Sequence, residues 1–154
     1  MNKIDFVSRI IAFSTLIFLL GSCSNDSGDD TISYDLTGNW KVIYFQEGDT
    51  RVFKTDENSW LDINNGDITA EFDQPDQGGM GVISGITVTN SYTGNYEIGE
   101  NGEITIKSVA TTLINEPEWT NLFRITSIDS YEVKNARLYL YYSEGSSSIV
   151  LERI

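Results

Sequence analysis

The chain has 154 residues, with 23 acidic side chains against 10 basic ones and a formal net charge of −13 at neutral pH. It contains no histidine and a single cysteine. That excludes Ser-His-Asp and Cys-His catalysis, an internal disulfide and the commonest zinc ligand. The basic residues are scattered singly in a strongly negative field, so nucleic acid is not an expected partner.

In chain order, Lys3 and Arg9 precede an apolar run from Ile10 to Leu20. Its length falls within the roughly 7–15 residues of a secretory signal and short of the about 20 that a membrane-crossing helix needs. The run closes on Leu19-Leu20-Gly21-Ser22-Cys23. These residues resemble the lipobox of bacterial lipoproteins, in which the cysteine thiol is acylated with diacylglycerol and a signal peptidase cuts before it. The resemblance implies a signal peptide over residues 1–22 and a lipidated Cys23. It also implies the membrane as a partner through that anchor, and a place in the bacterial cell envelope at the outer membrane. Cleavage there leaves 132 residues, one ordinary domain. Residues 23–34 read as a tether, because Ser24-Asn25-Asp26-Ser27-Gly28-Asp29-Asp30 is polar and acidic with nothing to bury. An acidic tract in this place resembles the surface-export signal of lipoproteins in Bacteroidetes-type bacteria.

The domain, residues 35–154, reads as strands. Leu36 to Phe45 alternates so that Trp40, Val42 and Tyr44 share a face. Arg51 to Lys54 is a weaker candidate. Ser59 to Ile63 and Asp67 to Asp73 flank Asn64-Asn65-Gly66, which predicts a hairpin. Strands are expected over Met80 to Val88, Tyr92 to Ile98 and Glu103 to Lys107. Asn101-Gly102 turns between the last two. Glycines at 81, 85 and 94 suggest bulges or close backbone approach. Asn115, Pro117 and Glu118 look like a helix start, and Trp119, Leu122, Phe123 and Thr126 like its apolar face. A helix is therefore expected over about Glu116 to Ser127. Tyr131 to Val133, Arg137 to Tyr142 and Ser148 to Arg153 finish the chain. The fold class is mainly β (α+β): an antiparallel rolled sheet or cracked β-barrel with one helix packed against it.

The chemistry left without histidine is that of carboxylates. No aromatic-lined cleft flanks a pair of them, so glycoside hydrolysis has no support. Asp62-Ile63-Asn64-Asn65-Gly66-Asp67 is rich in oxygen ligands but lacks the remainder of a calcium loop, and a turn explains it. Gly78-Gly79-Met80-Gly81 leads into a strand rather than a helix, so it is not a phosphate loop. No catalytic residue, metal site or cofactor is expected. The aromatic residues are expected to form a core. The alternative is a cavity lined by Trp40, Tyr96 and Tyr142 that holds a small hydrophobic ligand.

Three stretches carry a family resemblance: Gly81-Val82-Ile83-Ser84-Gly85, Asn90-Ser91-Tyr92-Thr93-Gly94-Asn95-Tyr96 and Gly102-Glu103-Ile104-Thr105-Ile106. Followed by Thr111-Thr112-Leu113 and Glu116 or Glu118, they resemble the core of META/HslJ-like domains. The likeness covers roughly Leu36 to Arg153. It implies a cracked-barrel fold, often lipid-anchored, with no established enzyme activity. Thr89 stands where the family often has a cysteine, and the second cysteine is absent, so no role for that pair carries over. Gly38-Asn39-Trp40 also resembles the opening Gly-x-Trp of lipocalin-like lipoproteins, which would imply a ligand cavity. The sequence thus leads to a non-catalytic envelope protein with a binding or maintenance role. A lipocalin-like carrier is the alternative, and nothing in the sequence addresses the oligomeric state.

Overall fold

The computed structural model describes residues 32–154. Cys23, the expected signal peptide over 1–22 and most of the 23–34 tether lie outside the described residues. Nine strands make one antiparallel sheet: β1 Gly38–Glu47, β2 Thr50–Val52, β3 Thr69–Phe72, β4 Met80–Thr87, β5 Asn90–Ile98, β6 Ile104–Thr111, β7 Ser130–Lys134, β8 Arg137–Tyr142 and β9 Ser147–Arg153. Across the sheet the order is β6-β5-β4-β3-β1-β9-β8-β7, with β2 a short hairpin arm on β1. Strands β1, β3, β4, β5 and β6 pair in succession, as do β7, β8 and β9; β1 joins the two runs by pairing with β9, and β6 and β7 are the ends of the order. This is an up-and-down meander rolled on itself.

The roll closes at one point, where Glu103 bridges Ser130 and the Ile104 amide donates to the Asp129 carbonyl at 3.1 Å. On one side of that point the gap is filled by the chain between β6 and β7. On the other, Ser33 pairs with Val133, and the Tyr131 hydroxyl donates to the Tyr34 carbonyl at 2.8 Å. Ser33 and Tyr34, ahead of residue 35, are thus paired with β7. Connectivity separates the two ends of the roll. Turns 73–79, 98–103 and 134–137 lie at the end where the chain enters and leaves. Segments 53–67, 87–90, 112–129 and 143–146 lie at the far end.

Alternation sends Trp40, Phe72, Ile83, Tyr96, Leu138, Leu140, Tyr142, Ile149 and Leu151 into one continuous core. Strand β1 changes face on the way. A bulge between Val42 and Tyr44 rotates the strand. Phe45 then points inward, 4.5 Å from the Trp119 ring, and Tyr44 turns out against Phe53 at 5.4 Å. The expected common face of Trp40, Val42 and Tyr44 breaks there.

Two other expectations differ from the structure. Ser59 to Ile63 is not a strand, because Asn64–Gly66 forms a single 3-10 turn with Asn65 at φ 52° and no partner strand precedes it. The helical segment packed on the sheet is not an α-helix over 116–127. It is two 3-10 turns, Glu118–Leu122 and Ile125–Ser127. The reason lies in the period. Trp119, Leu122, Ile125 and Ile128 recur every three residues and all face inward, while Thr126, needed by a 3.6-residue period, is exposed. The Asn101-Gly102 turn joins β5 to β6 as expected. The glycines of β4 do mark close approach: a Cβ on Gly81 would collide with the Tyr96 ring, and one on Gly85 with the Thr69 carbonyl.

Candidate functional site

Trp40, Tyr96 and Tyr142, the rings named for the alternative of a ligand cavity, are buried, none with more than 1 % of its surface accessible. Trp40 donates from Nε1 to the Leu36 carbonyl at 2.8 Å. Tyr96 meets Phe72 edge-on at 5.5 Å, and its hydroxyl donates to the Asp73 carbonyl. Tyr142 donates to Glu47 Oε1 at 2.5 Å, and Ser147 donates to Oε2 at 3.2 Å. Burial, reinforced by nearby acidic groups, pushes the Tyr96 and Tyr142 phenols up to about 12. Trp40, though buried, also borders a depression between the strands, whereas Tyr96 and Tyr142 do not. They are part of the filling of the roll.

That depression, of about 370 Å³, crosses four strands and is lined by Asn39, Trp40, Thr69, Glu71, Ser84 and Tyr92, among others. On the outer face of β8, Tyr139 and Tyr141 stack with centroids 6.2 Å apart. Lys134 Nζ sits 4.9 Å from the Tyr139 ring, and Arg51 sits 5.0 Å from the Tyr44 ring. Tyr141 donates to Glu132 at 2.5 Å. This face is not covered by the helical segment, which packs on the inside of the roll. At Asp62 to Asp67, the Lys54 ammonium pairs with Asp67 at 2.5 Å and donates to the Asn65 carbonyl at 2.6 Å. A cation of the protein thus occupies the turn. Among the described residues, no three acidic, cysteine or histidine groups are placed to hold a metal.

The densest polar cluster is at the far end, where the β4–β5 turn meets the chain leaving β6. Asn90 is 5 % exposed. Its Oδ1 accepts from the Thr112 hydroxyl and from the Ile114 amide, both at 2.8 Å, and its Nδ2 donates to the Ile114 carbonyl at 2.8 Å. One side chain therefore holds both backbone groups of Ile114. Glu116 holds Asn90 in turn. Its Oε1 accepts from Asn90 Nδ2 at 2.7 Å, the Asn90 amide at 3.0 Å, the Thr87 hydroxyl at 2.5 Å and the Thr89 hydroxyl at 3.2 Å. Burial pushes the Glu116 carboxyl up, but hydrogen bonds from Thr87, Thr120 and Asn90 outweigh it, and the net direction is down. A carboxylate so bound is a fixed acceptor and a poor proton shuttle.

This cluster holds up two exposed aliphatic residues. Leu113 is 94 % exposed and Ile114 62 %. Around them, Thr112 donates from its amide to the Ser91 carbonyl at 3.1 Å, and the Asn115 carbonyl accepts from Thr89 at 2.9 Å. Asn90, Thr112 and Glu116 all belong to the stretches singled out in the sequence, and the fold brings them together. Glu118 stays exposed and outside the cluster. The exposure of the Leu113-Ile114 tip carries no signal in the sequence, where Leu113 figures only in the Thr111-Thr112-Leu113 stretch of the family resemblance.

No family model matches the chain, and no curated protein matches it. The META/HslJ-like resemblance thus stands on its motif residues alone. A solved structure does match. It is a DUF4847 family protein from Bacteroides vulgatus ATCC 8482, at a TM-score of 0.55 and 15 % identity, over 77 % of this chain and 93 % of that one. The two share a curled β-sheet fold. At that identity the likeness concerns the fold alone.

Proposed function

We propose that this chain is a non-catalytic, lipid-anchored protein of the bacterial cell envelope, tethered through Cys23 at the outer membrane and working through its outer surface in a binding or maintenance role. The observation that carries the anchor is the sequence Leu19-Leu20-Gly21-Ser22-Cys23 at the end of a short apolar run. The burial of Tyr96 and Tyr142 in the packed core supports a surface role. The acidic residues after Cys23 favour display on the cell surface.

The META/HslJ-like character is kept within this proposal on the contact of Asn90, Thr112 and Glu116, which joins the motif stretches. A second reading, the lipocalin-like carrier of a small hydrophobic ligand, draws support from the up-and-down strand order. Two measurements test these readings. The Cys23→Ala chain should move from the membrane to the soluble fraction and lose incorporation of labelled fatty acid; unchanged fractionation and labelling would refute the anchor. Solvent extraction of the purified domain should release no stoichiometric lipid. Release of one equivalent would favour the carrier.

A further inference from the structure

The tip at Leu113 and Ile114 is where the molecule combines apolar exposure with rigidity. Free aliphatic side chains on a loop are ordinary. A buried asparagine that grips both backbone groups of one of them is not, and it fixes the tip before any encounter. Fixing it in advance lowers the ordering cost of binding. We infer that the Leu113–Ile114 tip is a docking point for another protein, one that presents an apolar recess bordered by basic side chains.

Two features select that partner over a membrane or a second copy. The first is charge. The far-end segments carry Asp56, Glu57, Asp62, Glu118 and Glu144, all exposed, against one exposed cation, Arg124, and a Lys54 already paired with Asp67. Acidic surroundings oppose an anionic lipid surface and oppose another copy of this chain, and they complement a basic rim. The second is direction. The described chain enters at the opposite end, where Ser33 pairs with Val133. The tip therefore lies at the end of the described fold remote from Ser33, and Ser33 marks the end nearer in sequence to the anchor on which this reading rests. Trp60, Leu61 and Ile63 are exposed in segment 53–67 and give that end further apolar area.

The test uses the full chain in its native cells, with the photo-cross-linking residue p-benzoylphenylalanine in place of Leu113 and, as a control, in place of Gln77 at the opposite end. The expected result is one protein adduct from position 113 and none from position 77. Adding Ile114→Ser should reduce its yield about tenfold or more. The cross-linked surface of the partner, mapped by mass spectrometry, should be apolar with lysine or arginine around it. The yield should fall as salt is raised. An adduct to lipid, an adduct to a second copy, the same adduct from both positions, or none would each overturn the proposal. Vesicles of phosphatidylethanolamine and phosphatidylglycerol provide an independent arm. The purified Cys23→Ala protein should not sediment with them, and sedimentation that Leu113→Ser abolishes would assign the tip to the bilayer instead. Failure of the anchor reading is seen separately, as unchanged fractionation of Cys23→Ala, while the position-113 adduct still decides the docking.

Discussion

Arg153, near the end of β9, holds its guanidinium 4.3 Å from the ring centroid of Trp40 on β1, and Nη1 donates to the Thr37 carbonyl at 2.9 Å. The contact fastens the last strand to the first at the end where the chain enters. It passes over Gly38, whose φ of +124° and lack of a side chain are both required: a Cβ there would lie 2.5 Å from Nη1. Arg153→Ala is expected to cost about 1–2 kcal/mol in a urea titration, and Arg153→Lys to recover only part of it, because an ammonium cannot both stack and reach Thr37.

The two buried tryptophans differ in a way that can be measured. Trp40 uses its ring nitrogen at Leu36, whereas Trp119 Nε1 is buried with no partner among the described residues. Replacing Trp40 by Phe loses volume, a hydrogen bond and the Arg153 contact. Replacing Trp119 by Phe loses volume but relieves an unsatisfied donor. Denaturation midpoints should therefore show Trp40→Phe to be the more damaging by about 1–2 kcal/mol. Equal losses would mean that Trp119 Nε1 has a partner.

Gly85 lies where β4 passes over the Thr69 carbonyl, which also accepts from the Tyr92 hydroxyl at 2.9 Å. The obstacle to a side chain is backbone and cannot swing away. Gly85→Ala should cost about 2–4 kcal/mol, with Tyr92→Phe, which removes only a hydroxyl and its hydrogen bond, costing about 1 kcal/mol. The check is the unfolding free energy of each variant in the same buffer.

Much of this fold is legible in the residues. Alternation located β1, β4, β5, β8 and β9 to within a few residues, because one face of each strand fills the core. The face switch in β1 was not legible. Trp40, Val42 and Tyr44 satisfy period two on paper, and the bulge is imposed by the register with β9. The helical segment was misread because Trp119, Leu122 and Phe123 fit a 3.6-residue period as well as a period of three, and Ile125 and Ile128 decide between them only once both are seen to be buried. Asn64-Asn65-Gly66 supplied the positive φ values of a turn, but such values serve a 3-10 turn in a loop as readily as a hairpin. For the candidate site, the motif residues Asn90, Thr112 and Glu116 were in view. Their joint grip on Ile114 depends on contacts across more than twenty residues of sequence, which no local pattern encodes.

The Glu116 carboxyl is held below its ordinary value in the fold, so its contribution has a defined sign with pH. It is fully present above about 4.5, the ordinary value, and is lost as the pH falls toward the lowered folded value. Glu116→Gln should remove this part of the acid-side loss of stability while weakening the clamp at neutral pH. Asn90→Ala, which strands the Ile114 amide and carbonyl, should cost about 2–3 kcal/mol. Urea titrations at a series of pH values from neutral to acid would separate the two. An acid limb unchanged in Glu116→Gln would show that the carboxylate is not held as described.

On the alkaline side the buried phenols govern. Tyr96 and Tyr142, with ordinary values of 10.0, are raised to about 12 in the fold, chiefly by burial and secondarily by acidic neighbours. A group raised on folding stabilises fully below its unfolded value, and that stability is lost as the pH climbs from about 10 toward about 12. Phenolate absorbance should thus rise in two phases, the later one together with loss of β-sheet circular dichroism. Tyr142→Phe removes the donor to Glu47 and should shrink the later phase, at a cost of about 1 kcal/mol at neutral pH. A carrier with these rings around a hydrated cavity would instead ionise them early and reversibly, with the sheet intact, so the same titration distinguishes a filled roll from a hollow one.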